Sequence, residues 1–262
     1  MKLGENSENR QYHIALASGE TGGYAILPGD PGRVDRIAAE LDSPKLIAQN
    51  REFRTFSGTL LGERVCVTST GIGGPSAAIA MEELIKCGVD TFIRVGTCGG
   101  MQPCVKAGDL VIASAAIRGD GTSREYLPEG YPAAADIEVV TALRSAADAL
   151  GFRHHTGVVQ SKDSFYGQTE PESMPMREFL SDRWQSYIRA GCLASEMEAA
   201  ALLSVGQVRR ARVGVVLTAI WNPELVNSGE DASQRFDSEG AIRCAVEALK
   251  RLIASGNREK VP

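Results

Sequence analysis

An arginine set in an apolar run and followed at once by glycines and a hydroxyl is the part of this chain best suited to chemistry. It reads Phe92-Ile93-Arg94-Val95-Gly96-Thr97-Cys98-Gly99-Gly100. A buried strand that delivers a guanidinium and then breaks into a glycine turn can gather that guanidinium, a hydroxyl and backbone N–H groups around one oxyanion. Two upstream stretches have a similar make-up, Pro28-Gly29-Asp30-Pro31-Gly32-Arg33 and Thr70-Gly71-Ile72-Gly73-Gly74-Pro75-Ser76. One such turn says little. Three at strand ends, two of them with an arginine, point to a phosphate or phosphate-like ligand.

Each stretch also has a plainer reading, and the residues alone leave both open. Arg33 serves equally as an anion ligand on a loop stiffened by two prolines or as a solvated arginine on a tight turn. Arg51-Glu52, ahead of Phe53, reads as readily as a surface ion pair. Gly71 to Ser76 lies between a strand and a helix, where glycines allow close backbone approach and a helix start favours negative charge. A simple connection with Pro at the helix start accounts for the same residues. Its spacing is neither GxGxxG nor a Walker loop, so a dinucleotide cofactor or ATP is not supported.

Ser195-Glu196-Met197-Glu198 opens a predicted helix, with Ser195 and Glu198 spaced as a capping box. Alternatively, one glutamate faces a polyol, because a carboxylate can accept from two sugar hydroxyls, and Met197 gives the ring an apolar floor. The three histidines, His13, His154 and His155, lack metal-ligand spacing. No catalytic triad and no GxSxG elbow is indicated. His13 falls in an N-terminal segment expected to be flexible, and His154 and His155 are expected at the surface ahead of a strand.

Strands that end where these turns begin must position the groups. The pattern predicts strands over 24–28, 55–61, 64–70, 91–95, 110–117, 155–160 and 213–220. It predicts helices over 33–41, 75–87, 137–150, 196–205 and 233–253. Gly62-Glu63 reads as a hairpin turn and Gly88 as a helix stop. Residues 1–11 are expected to be flexible or edge-bound, 119–135 a long loop, and 163–182 irregular. Strands alternating with helices, several of them continuously apolar, predict an α/β fold with a mixed, largely covered sheet, in a single domain over 1–262. In such folds ligands sit at the C-terminal ends of strands, where the glycine turns and the Glu196 segment fall.

The chain has 262 residues and is 43% hydrophobic, enough for a sizeable core. A net charge of -5 argues against nucleic acid or an acidic membrane as partner, and still allows a small anion held by local arginines. The six cysteines form no CxxC pair and fit no zinc spacing, and Cys66 and Cys244 read as core thiols. The polar start lacks an apolar signal core, and no apolar run approaches the roughly 18 residues of a membrane span. A cytoplasmic protein with reduced thiols is expected.

In combination, PGDPGR (28–33), REF (51–53), STGIGGPS (69–76), FIRVGTCGG (92–100), DSFYGQ (163–168) and SEMEAAALL (195–203) resemble the uridine phosphorylases of the nucleoside phosphorylase family, over nearly the whole chain. The resemblance implies a twisted, partly barrel-like mixed sheet flanked by helices. It implies dimers that build a hexamer, with active sites shared between subunits. The implied reaction is phosphorolysis, with phosphate as co-substrate and no cofactor: phosphate and a nucleoside give a free base and a pentose 1-phosphate. Gly29, Arg33, Arg94 and Thr97 would hold phosphate, with Arg51 from the neighbouring subunit. Met197 and Glu198 would hold the ribose, and the neighbour's copy of His13 its 5′-hydroxyl. Phe165 would stack near the base or sugar, and Gln168 would bond the pyrimidine edge. Arg94 and Glu198 carry the catalytic roles. Glu52, Ile72 and Ser76 match positions that bind a monovalent cation such as potassium at the dimer interface in some relatives.

The chain departs from this pattern around the base. The arginine that follows the glutamine in the uridine enzymes is missing, since Gln168 leads into Thr169-Glu170-Pro171. The nearby cation is Lys162, expected to replace it directly or through water. A second family arginine would fall near Trp221-Asn222-Pro223, where Trp221 makes the wall bulkier. Purine phosphorylases of this fold place a proton-donating aspartate there; the amide of Asn222 cannot supply that proton. Uridine, with 2′-deoxyuridine, is therefore the expected substrate, another nucleoside the alternative, and a non-catalytic sensor the remote one.

Overall fold

The computed structural model describes residues 9–230 and 233–256. Alternation along the strands covers one sheet on both faces. In β1 (Tyr24–Pro28), Ala25 and Leu27 enter one buried cluster while Tyr24 and Ile26 enter another on the opposite face. In β5 (Thr91–Gly100), Phe92 and Ile93 divide in the same way.

β5 is the hub of the sheet. One of its edges pairs in parallel with β10 (Arg212–Trp221). The other pairs in parallel with β1 as far as Val95, then antiparallel with β9 (Ala194–Glu196) at Gly99 and Gly100. β9 leads to β8 (His154–Lys162) and β6 (Leu110–Gly119), and β6 returns to β10, closing a barrel-like ring. From β1 the sheet extends through β4 (Glu63–Thr68) and β3 (Phe53–Leu60) to β2 (Asp42–Asn50). β7 (Ala133–Ala134) pairs with β6. The expected α/β fold with a mixed, partly barrel-like sheet is what the chain adopts.

Helices cover both faces. α2 (Gly74–Lys86) and α7 (Ala199–Arg209) pack into the cluster containing Ala25 and Leu27. α7 is buried at every position from Ala199 to Gly206, as its run of Ala, Leu and Val allows. α1 (Pro31–Ala38), α4 (Ile137–Ala149) and α9 (Glu239–Ser255) pack on the opposite face. Asp30 caps α1 by accepting the Gly32 N–H at 2.8 Å, and Pro31 supplies the first turn.

Several boundaries differ from the sequence pattern. The hairpin turn is Leu61-Gly62, both with positive φ (51° and 83°), and Glu63 already belongs to β4. The stretch 119–135 holds α3 (Thr122–Tyr126) and β7. The stretch expected to be irregular holds α5 (Phe165–Thr169), capped by Ser164, a 3-10 turn at Pro171–Ser173 and the start of α6 (Arg177–Arg189). α8 (Pro223–Ser228) follows β10. The final helix begins at Glu239 rather than 233. Of the start expected to be flexible, 1–8 lie outside the described residues. Residues 10 and 11 are held: Arg10 pairs with Glu20 at 2.7 Å and the Gln11 N–H reaches Leu16 O at 2.8 Å.

Candidate active site

The strand ends meet around a cavity of about 1010 Å³. β1 stops at Pro28 and hands over to the first glycine turn. The second turn is laced to it, with the Thr70 N–H on Pro28 O and the Gly71 N–H on Gly29 O, both at 2.9 Å. β5 brings Arg94 and Thr97 beside both, and Gly29, Arg33, Arg94 and Thr97 all line the cavity. Burial, with the neighbouring Arg94 charge, pulls Arg33 below the ordinary arginine value despite Asp30.

Arg94 is only 4% exposed. Its Nη2 donates to the Glu198 carboxylate, and its Nε lies 3.4 Å from Glu196 Oε2. Among the described residues Nε and Nη1 find no hydrogen-bond partner, so a buried guanidinium at the cavity wall has donors unspent. Glu198 Oε1 accepts the Gly73 N–H at 2.6 Å.

Ser195 to Glu198 is not a capping box. Ser195 and Glu196 finish β9, α7 starts at Ala199, and the Glu198 side chain makes no cap bond. Glu196, which sequence reasoning passed over, holds the helix start. It accepts the N–H groups of Glu198 (2.8 Å) and Ala199 (2.9 Å) and the Ser161 hydroxyl. Burial lifts its carboxyl above the usual range, Arg94 opposing and Glu198 adding to the effect. Only its place one residue from Met197 hinted at this.

Lys162, Phe165, Gln168, Trp221, Met197 and Glu198 line the same cavity. Lys162 Nζ donates to Ser195 Oγ at 2.9 Å, and Ser195 Oγ donates to Gln168 Oε1 at 2.9 Å. The ammonium also lies 6.0 Å from the Phe165 ring centre. Burial lowers the Lys162 pKa, opposed by Glu196 and Glu198. Trp184 Nε1 donates to Glu224 at 3.0 Å, tying α6 to α8 at the cavity lining. Asn222 turns into the protein: its amide donates to Gln102 O and Val105 O, both at 2.8 Å, and its oxygen accepts the Glu224 N–H.

His13 and Arg51 stand apart from the cavity lining. His13 is anchored rather than loose, with Nδ1 2.6 Å from Glu83 and its ring edge-on to Phe53. The exposed Arg51 guanidinium lies 5.6 Å from the Tyr12 ring centre. Glu52, Ile72 and Ser76 reach the cavity; Glu52 Oε1 accepts from Ser76 Oγ at 2.9 Å, and Ile72 is exposed. His154 and His155 begin β8, paired with Asp148 and Asp109. All six cysteines are free, and burial pushes the thiols of Cys66 and Cys244 up to about 12. Among the described residues no His, Cys, Asp and Glu cluster suits a metal ion, and no helix is long and apolar enough to cross a membrane.

The family model described as the phosphorylase superfamily matches residues 24–255. A uridine phosphorylase of Treponema pallidum is 51% identical over 247 residues, covering 94% of this chain and 96% of that protein. A uridine phosphorylase of Thermococcus kodakarensis is 43% identical, covering 98% and 91%. A guanosine phosphorylase of Halorubrum lacusprofundi is 38% identical, covering 93% and 99%.

Proposed function

Since the chain belongs to the phosphorylase superfamily, we propose that it catalyses phosphorolysis of uridine, and of 2′-deoxyuridine, for pyrimidine salvage. The observation that carries this reading is the buried Arg94, with unspent donors, set between two glycine turns and the carboxylate of Glu198.

Phosphate is held by Arg33, Arg94, Thr97 and the backbone at Gly29. Glu198 and Met197 hold the ribose. A phosphate oxygen bonds to C1′ while the C1′–N1 bond breaks and its electron pair leaves with the base. Phosphate below the ring stabilises the cationic sugar as the bond loosens, and Glu198 fixes the hydroxyls. Positioning and electrostatics suffice, without a covalent nucleophile or a resident cofactor. A carboxylate has about four acceptor sites, so Glu198 can keep the Gly73 N–H and take sugar hydroxyls once Arg94 turns toward phosphate.

The half-buried His13 and the exposed Arg51, both beside Tyr12 and outside the cavity lining, serve the site of a second subunit in a homo-oligomer built from dimers into a hexamer. Glu52, Ile72 and Ser76 hold a potassium ion at that dimer contact. Free thiols favour the cytoplasm.

The guanosine-cleaving relative supports a second reading, in which the same phosphate site serves a purine nucleoside. Loss of uridine absorbance by purified protein, with and without phosphate, decides between them. Phosphate-dependent uracil release supports the first. Release of guanine, with uridine untouched, replaces it with the second.

A further inference from the structure

Lys162 is 7% exposed, yet among the described residues its ammonium makes one hydrogen bond, to the hydroxyl of Ser195. An ammonium only donates, so Ser195 Oγ must accept there. The hydroxyl's single hydrogen then goes to Gln168 Oε1, its other partner among the described residues. With that oxygen engaged, the Gln168 amide is oriented: its NH₂ end remains for a ligand in the cavity it lines. β8 and β9 hold this chain of bonds in register, Gln160 opposite Ser195 and Ser161 opposite Glu196.

We propose that Lys162 is a positioning residue that acts through Ser195 to fix the Gln168 amide as a donor toward a carbonyl oxygen of the departing base. The inference rests on the phosphorolysis reading and adds to it which atom of the base is addressed. As the glycosidic bond breaks, negative charge spreads onto the ring carbonyls of uracil. A donor polarised by a cation two hydrogen bonds away meets that charge better in the transition state than in the bound nucleoside. The effect therefore falls on kcat more than on KM. The charged groups facing Lys162 are Glu196 and Glu198, with the Cys98 thiol beside them. Both carboxylates favour the ammonium, and the thiol stays neutral because burial raises its pKa.

A double-mutant cycle tests the relay. Lys162→Met, Ser195→Ala and Gln168→Ala are expected each to lower kcat for uridine about tenfold to a hundredfold, with KM for phosphate unchanged. Acting through Gln168, Lys162→Met adds nothing further in the Gln168→Ala background. Independent, multiplying effects would show that Lys162 touches the base itself and would overturn the proposal, as would an unchanged kcat in Lys162→Met. Ser195→Ala, a small change, tests the same link should Lys162→Met not fold.

One readout needs no turnover. In ¹⁵N-labelled protein, the Gln168 side-chain amide resonances should shift as Lys162 titrates, and cease to do so in Ser195→Ala. Shifts that persist without Ser195 overturn the relay whatever nucleoside is used. An inert wild-type protein on uridine overturns only the substrate assignment.

Discussion

Arg94 on β5 donates to Glu198 while Glu198 accepts the Gly73 N–H, so one carboxylate joins an arginine 104 residues away to the glycine turn ahead of α2. Both residues are at most 5% exposed. Removing one member of such a pair leaves the other charged and buried, at a cost of about 3–5 kcal/mol.

Glu198→Ala should therefore lose stability as well as activity. Glu198→Gln keeps an oxygen for Gly73 and the side-chain shape. We expect it to fold with a smaller loss in melting temperature, and to lose about a hundredfold or more in kcat for uridine. Steady-state kinetics beside thermal unfolding separate the two effects. A Gln variant with wild-type kcat would remove Glu198 from the reaction.

Arg33 sits on the first turn of α1 and lines the cavity. Arg33→Ala should raise KM for phosphate about tenfold to a hundredfold, the value of a hydrogen bond to a charged group. KM for uridine should barely move. Lys at this position should recover little, because an ammonium cannot present the two-pronged guanidinium. A rise in KM for uridine alone would place Arg33 at the wrong end of the cavity.

These two arginines were legible in the sequence because an arginine beside glycines at a strand end has few other uses. The sheet was legible where both faces are buried, as in β1, β5 and β10. It was not legible at β2, an exposed edge strand with Pro44 inside it and two register breaks against β3. Glu196 was missed because its partner Ser161 comes from β8, 35 residues away, a contact that no local spacing encodes. The sequence pattern Ser-x-x-Glu suggested a cap at Ser195. Pairing of β9 with β5 and β8 overrode it. Lys162 stood out as a cation near the base end, but its hydrogen bond to Ser195 needed the strand register.

Lys162 also has a pH signature. Its pKa is lowered chiefly by burial, so between the folded value and the unfolded 10.5 the unfolded chain binds more protons. Stability from this group therefore rises with pH through that window and levels off above about 10.5. Activity runs the other way: uridine turnover should fall on the alkaline side as the ammonium is lost below the usual lysine range. Glu196 and Glu198 are the charged groups that face Lys162, and both favour its ammonium. Lys162→Arg should carry the limb to higher pH, and Lys162→Met should leave only the part that ionisation of uridine's own N3–H accounts for. The pH profiles of kcat for the three proteins check this; an unmoved limb in Lys162→Arg would assign it elsewhere.

Asn222 gives the most direct test of which way the late loop faces. Its amide nitrogen serves two carbonyls, Gln102 O and Val105 O, and its oxygen caps α8 through the Glu224 N–H. It is 1% exposed, and a Cβ on Gly100 would fall 2.8 Å from that nitrogen. Asn222→Asp sets a carboxylate oxygen against two carbonyl oxygens in a buried place. The cost should be about 3 kcal/mol or more, a melting-temperature loss on the order of 10 °C. Gly100→Ala should destabilise by displacing the same amide. Because the side chain faces away from the cavity, the new carboxyl is not available to protonate a purine, and inosine phosphorolysis should not appear. An Asn222→Asp protein that melts with the wild type and cleaves inosine would mean that this side chain swings into the cavity during turnover, and that the loop, rather than the relay at Gln168, sets the base.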